Sequence, residues 1–196
     1  LIVASHITLC AECRKVVEDF ENLGGKFLED SDPVEVNSSS LESILGKIDN
    51  IDLDDQLVEP TNKANAFKNM PSVLSKYLPD TDKLTDKWKK SIGGIRYFDI
   101  DLGDFKQNTH ARMLSIPPGR KLPHHGHESQ ELTLVLEGGF KDENGSYNAG
   151  DVAIEDENNL HTPVSDPSEG CVCLVVYEGK LKFKGLFGPI LNILNK

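Results

Sequence analysis

Apolar positions recur along the first stretch of the chain at helical spacing. Val16, Val17, Phe20 and Leu23 are three and four apart, so the pattern predicts a helix over Leu1 to about Phe27, with Gly24-Gly25 as its C-cap. A second amphipathic run, Ser40–Ile48, puts Leu41, Ile44, Leu45 and Ile48 on one face, with Ser39 or Ser40 as N-cap. Met70–Pro79 predicts a short helix bounded by prolines. From about Thr85 the period changes to two. Gly94–Ile100, Ala111–Ile116, Leu132–Leu136, Asp151–Ile154 and Cys171–Tyr177 read as strands. Turn signals at Pro117-Pro118-Gly119, Glu143-Asn-Gly145 and Asn148-Ala-Gly150 separate some of them. The fold class expected is mainly β: a small barrel or jelly roll preceded by helices and a linker.

Charge is unevenly spread. The whole chain carries a net charge of −11, which disfavours direct DNA binding, because phosphate contacts need Lys and Arg. Leu28–Glu59 holds ten acids and one base, Lys47, and accounts for most of the excess. Two readings of that segment stand: a solvated linker, or a strip competing for a basic partner surface. No apolar run nears the roughly 20 residues that span a bilayer, so no membrane association is expected. No signal peptide is recognisable, and the cytoplasm is the expected compartment. The chain opens on Leu1 rather than Met, and residues upstream are expected.

Two clusters carry chemistry. His125 and His127 are two apart, so on a strand they face one side; Glu131 follows four later, and His161 lies further on. Three imidazoles and a carboxylate suit zinc, iron, manganese or nickel. His124 belongs to the opposite strand face and His110 to no motif, so neither is expected to be a ligand. At the other end, His6, Cys10 and Cys13 fall at i, i+4 and i+7, within a narrow arc of one helix face, in a spacing suited to zinc. Cys171 and Cys173 alternate on one apolar strand. They are either small buried hydrophobes or a redox-sensitive pair, and strand neighbours two apart need distortion to form a disulfide.

The run Gly119-x5-His125-x-His127-x3-Glu131-x6-Gly138 resembles the first motif of the cupin superfamily with every spacing intact. The second motif is matched in part, at Gly150 and His161, with Asn148-Ala149-Gly150 in place of Pro-x-Gly. The resemblance implies a small β-barrel with the metal inside. His6-x3-Cys10-x2-Cys13 resembles the zinc-binding anti-sigma domain, whose fourth ligand is a His on a preceding helix. That helix is expected upstream, which makes this an N-terminally truncated form with an incomplete zinc site. Taken with Trp88–Ile95 and the tail Phe183–Asn192, the chain resembles the ChrR family of anti-sigma factors.

That resemblance implies a partial helical anti-sigma domain over 1–55, a linker over 56–85 and a cupin domain over 86–196. It implies a non-enzymatic regulator that sequesters an extracytoplasmic-function sigma factor. The cupin domain would govern release under oxidative stress from singlet oxygen or organic peroxides. Zinc is the expected metal at both sites, and a homodimer through the cupin face is compatible with it. The alternative is a cupin metalloenzyme, dioxygenase-like, with an unrelated N-terminal extension.

Overall fold

The computed structural model describes residues 1–50, 70–78, 87–103, 108–179 and 181–183. The expected linker 56–85 lies outside the described residues apart from 70–78, and so does the tail from 184 onward.

The first helical run is two helices, not one. Helix α1 spans Ile2–Leu9 and α2 spans Ala11–Glu29. Cys10 breaks them apart with an extended backbone, φ −100° and ψ 110°. Its N–H still donates to the His6 carbonyl, while its Sγ accepts the N–H of Cys13 at 3.5 Å, so one residue closes α1 and caps α2. Arg14 Nη1 donates to the Ile7 carbonyl at 2.7 Å and fixes the bend. The expected stop at Gly24-Gly25 does not occur. Neither glycine takes the positive φ that a C-cap needs, and the helix passes through to Glu29. Glycine inside a helix costs about 1 kcal/mol, which weakens a helix without ending it. Helix α3, Ser39–Asp49, falls where the pattern put it, but Asn37 Oδ1 caps the Ser39 N–H in place of a serine.

Eleven strands follow among the described residues. They are β1 Lys89–Lys90, β2 Arg96–Ile100, β3 Thr109–Ile116, β4 His125–His127, β5 Glu131–Lys141, β6 Ser146–Asn148, β7 Val152–Glu155, β8 Leu160–His161, β9 Val164–Ser165, β10 Cys171–Glu178 and β11 Leu181–Phe183. The larger sheet runs β1-β2-β3-β10-β5-β6, with β7 and β9 also paired to β5; the smaller runs β11-β4-β8. Every pairing is antiparallel.

Alternation divides the larger sheet into two faces. Leu114 and Ile116 of β3, Thr133 of β5 and Cys173 and Val175 of β10 face the barrel interior. Their neighbours Ala111, Met113, Leu134, Leu136 and Leu174 form a second buried cluster on the outer face. That outer face is covered by α1, through Ile2, and by Leu74 of the short 3-10 turn Ser72–Lys76. The first helix is thus seated on the barrel.

Candidate metal centres

The barrel brings three imidazoles to one point. His125 and His127 lie on the same face of β4, and β8 sets His161 opposite His125 in register. Gly126 permits this approach, because a Cβ there would lie 2.8 Å from Leu160 Cδ2 and 3.0 Å from the Asn159 carbonyl. Nε2 of His161 is 3.2 Å from Nε2 of His125 and 3.2 Å from Nε2 of His127, and the ligand atoms of all three lie within 4.8 Å of one another. Zinc–nitrogen bonds of 2.0–2.1 Å in a tetrahedron separate ligand nitrogens by roughly 3.3 Å, so the two separations from His161 are those of ligands to one divalent ion.

The outer nitrogens set the tautomers. His125 Nδ1 donates to the Pro123 carbonyl at 2.7 Å. His161 Nδ1 donates to Asp142 Oδ2 at 2.9 Å, with Glu155 Oε1 behind it at 3.8 Å. Each bond puts the proton on Nδ1 and the lone pair on Nε2, toward the centre. Burial, and then the neighbouring His161, pushes His125 and His127 down to about 4, so both are neutral bases at physiological pH.

Glu131 stands apart from the three-histidine group. Its Oε2 lies 3.4 Å from His127 Nδ1, on the far side of the ring from Nε2, and its Oε1 accepts the Thr133 hydroxyl at 3.2 Å. Burial raises it to about 7. Beside the histidines lies a cavity of about 140 Å³. Leu114, Ile116, Phe140 and Val175 give it an apolar wall, and Glu131, His125 and His161 a polar one.

Two participants escaped the sequence reading. Asp142 sits in a turn whose composition accounts for it, and its Oδ1 does accept the N–H groups of Asn144 and Gly145. Its other oxygen holds His161. Glu155 is 2% exposed and accepts both contacts from Asn144 Nδ2. The alternation of β7 could have found it, since Glu155 shares the inward face with Ala153.

The N-terminal residues converge as well. A ring nitrogen of His6 and the Sγ atoms of Cys10 and Cys13 lie within 4.8 Å of one another. They meet across the bend at Cys10 rather than along one continuous helix. Hydrogen bonding from the Cys13 N–H lowers the Cys10 thiol, and the bond to Cys10 raises that of Cys13.

Cys171 and Cys173 are both buried on the inner face, beside a register shift between Val172 and Cys173. Interaction with Cys171, and then burial, holds the Cys173 thiol well above its usual value. His124 is exposed, with its Nδ1 against Thr162 Oγ1 at 2.9 Å, and His110 stacks on Tyr177. Neither joins a candidate ligand group among the described residues.

Residues 77–181 match the family model described as the ChrR Cupin-like domain. The anti-sigma-E factor ChrR of Cereibacter sphaeroides is 35% identical over 193 residues, covering 98% of this chain and 86% of that relative. Among solved structures, Rhodobacter sphaeroides SigE in complex with the anti-sigma ChrR matches with a TM-score of 0.68 and 32% identity. That match covers 89% of this chain and 85% of the other. An RmlC-like cupin from Ralstonia eutropha JMP134 matches at a TM-score of 0.45 and 17% identity, over 50% of this chain and 66% of its own.

Proposed function

The chain belongs to the ChrR family of anti-sigma factors, and on that premise we propose that its helices hold an extracytoplasmic-function sigma factor inactive while a metal in the barrel governs release. One observation carries the first part. Val16, Phe20, Leu23 and Phe27 form an apolar stripe along α2, and Leu41, Ile44, Leu45 and Ile48 form another on α3, every one of them at least half exposed. Two such faces on neighbouring helices fit a helical protein partner. The ChrR relative whose structure matches is held in a complex with SigE. The acidic segment beside the stripes adds charge complementarity to a basic, DNA-binding surface.

We read residues 1–55 as the helical inhibitory part, 56–85 as the linker and 86–196 as the cupin domain. Zinc fits both metal centres: His125, His127 and His161 in the barrel, with Glu131 beside them, and His6, Cys10 and Cys13 supplying three of the four donors a structural zinc takes. A bound ion at the barrel would tie β4 to β8 and offset the charge of the buried carboxylates. The residues themselves exclude water and orient the three imidazoles, and burial keeps His125 and His127 neutral. Oxidation or loss of a ligand would loosen the barrel, and Cys171 and Cys173 offer a second redox-sensitive element on the inner face. This assigns the barrel a regulatory task in the cytoplasm, without turnover. No helix among the described residues is long and apolar enough to cross a membrane.

A second reading, a cupin metalloenzyme, draws on the cavity next to the histidines. Purification with the sigma factor separates the two. The full chain co-elutes with an extracytoplasmic-function sigma factor of its own genome, and Phe20→Asp with Leu23→Asp abolishes this. An unchanged complex with the double variant overturns the assignment of the α2 face. Oxygen uptake by the iron-loaded protein with no sigma binding favours the enzyme.

A further inference from the structure

His6 belongs to the N-terminal candidate group and also contacts the barrel. Ile2 and Ser5 bury one side of α1 against the barrel, and His6 follows on that side. Its Nδ1 is 2.8 Å from the carbonyl oxygen of Gly150, which belongs to the turn between β6 and β7. A carbonyl only accepts, so Nδ1 carries the proton and the lone pair is left on Nε2 for the thiol side.

The carbonyl is firmly held. The Gly150 N–H donates to the Val135 carbonyl at 2.9 Å, and the Val135 N–H donates to the Asp151 carbonyl at 3.0 Å. The turn closes on itself through Asp151 N–H to the Asn148 carbonyl and Asn148 N–H to Asp151 Oδ2. Gly150 has a φ of +99°, a conformation that side-chain-bearing residues rarely take. The oxygen is thus presented by a backbone geometry chosen for glycine.

From these contacts we infer that the barrel supplies the positioning group of the N-terminal metal site, the Gly150 carbonyl fixing His6 as an Nε2 ligand. The inference rests on the reading of His6, Cys10 and Cys13 as a metal site. Metal-bound histidines generally give their second nitrogen to such an acceptor, and losing it costs about 10- to 100-fold in affinity. Here the acceptor comes from 144 residues away in the chain, so His6 is held in this orientation only while α1 sits on the barrel. The strand that leaves Gly150 is β7, and its far end is Glu155, behind His161. Gly150, in the turn that leads into β7, and Glu155, at its end, are thus five residues apart, roughly 17 Å of extended backbone at about 3.3 Å per residue.

Cobalt(II) titration of the full reduced chain tests this. Thiolate-to-cobalt charge-transfer absorption reports the N-terminal site alone, since the barrel set is imidazole and carboxylate. A Cβ added at Gly150 would meet nothing within 4 Å, and the φ of +99° is strained for any residue with a side chain, so Gly150→Val is expected to act through the backbone. It is expected to weaken the thiolate site by about tenfold or more. In a His6→Cys background the third ligand has no second nitrogen, and Gly150→Val is expected to change nothing. No charge-transfer band in the wild type overturns the metal-site reading and the inference with it. A normal wild-type band with equal affinity in Gly150→Val, or an equal loss in both backgrounds, overturns the inference alone. Should Gly150→Val fail to fold, nitrogen-15 spectra of the metal-loaded wild type decide: the ring proton of His6 is expected on Nδ1, and a proton on Nε2 refutes the assignment.

Discussion

Asp142 Oδ2 and His161 Nδ1 face each other at 2.9 Å, with side chains 0% and 4% exposed. A charged group that water cannot reach must be matched within the fold, and this one is matched by an imidazole whose other nitrogen points at the metal centre. The β5–β6 turn therefore has two tasks, reversing the chain and holding His161 in one tautomer.

Asp142→Asn keeps the side-chain oxygen that caps the turn but removes the charge. Zinc affinity of the barrel, measured by competition with a chromophoric chelator, is expected to fall about 10- to 100-fold with the fold retained. His125→Ala removes a ligand outright and is expected to abolish barrel binding. Unchanged affinity in Asp142→Asn means that the turn carboxylate has no part in orienting His161.

The chelated protein has a pH signature. His125 and His127 titrate at about 4 in the fold against 6.5 in the open chain. Their contribution to stability is complete above 6.5 and is lost as pH falls through 4. Glu131 titrates at about 7 against 4.5, so its contribution is complete below 4.5 and is lost as pH rises through 7. Between 4.5 and 6.5 two groups oppose one, and Tm is expected to rise with pH. Glu131→Gln removes the opposing group, so calorimetry should show a steeper rise. A slope unaltered by Glu131→Gln sinks this account.

Leu74 is fully buried in the outer cluster although it lies within the span expected as linker. Leu74→Ala is expected to cost about 2–5 kcal/mol in denaturant unfolding of the whole chain. A change within about 0.5 kcal/mol, the scale of surface substitutions, shows 70–78 to be detached from the core in solution.

The sequence was most legible where one period governs a stretch. The long strands β2, β3, β5, β7 and β10 all lie on runs of period two, and the three histidines meet because strand alternation and the glycine between His125 and His127 work together. It was least legible where one residue serves two elements. Cys10 lies within a helical run of apolar residues, and only its extended backbone reveals two helices. Strands of two or three residues such as β8 and β9 are too short to show alternation, so their pairing depends on the barrel closing. Asp142 was hidden because a turn already explains an aspartate. The seat of α1 on the barrel was hidden because Ile2 and Leu9 are ordinary helical residues, and their partners lie more than a hundred residues away on β3, β5 and β10.

The shared strand β7 gives the last expectation. Gly150, in the turn leading into it, accepts from His6, and Glu155, its last residue, lies 3.8 Å from His161 Nδ1. A metal that fixes His161 therefore restrains Glu155, β7 and the carbonyl on which His6 rests. Coupling between sites in proteins is typically 1–3 kcal/mol, about 5- to 150-fold. Alkylation of Cys10 and Cys13 in zinc-loaded protein measures how often the N-terminal ion lets go of its thiolates. Emptying the barrel by His125→Ala, a change on β4 rather than β7, is expected to speed that alkylation by about fivefold or more. Adding Gly150→Val should raise the basal rate and remove the dependence on barrel metal, because the carbonyl no longer transmits it. Mass spectrometry of the modified peptides separates Cys10 and Cys13 from the buried Cys171 and Cys173. Equal rates with the barrel filled and empty mean that the two centres act independently, and that any signal passes from barrel to helices by a route other than β7.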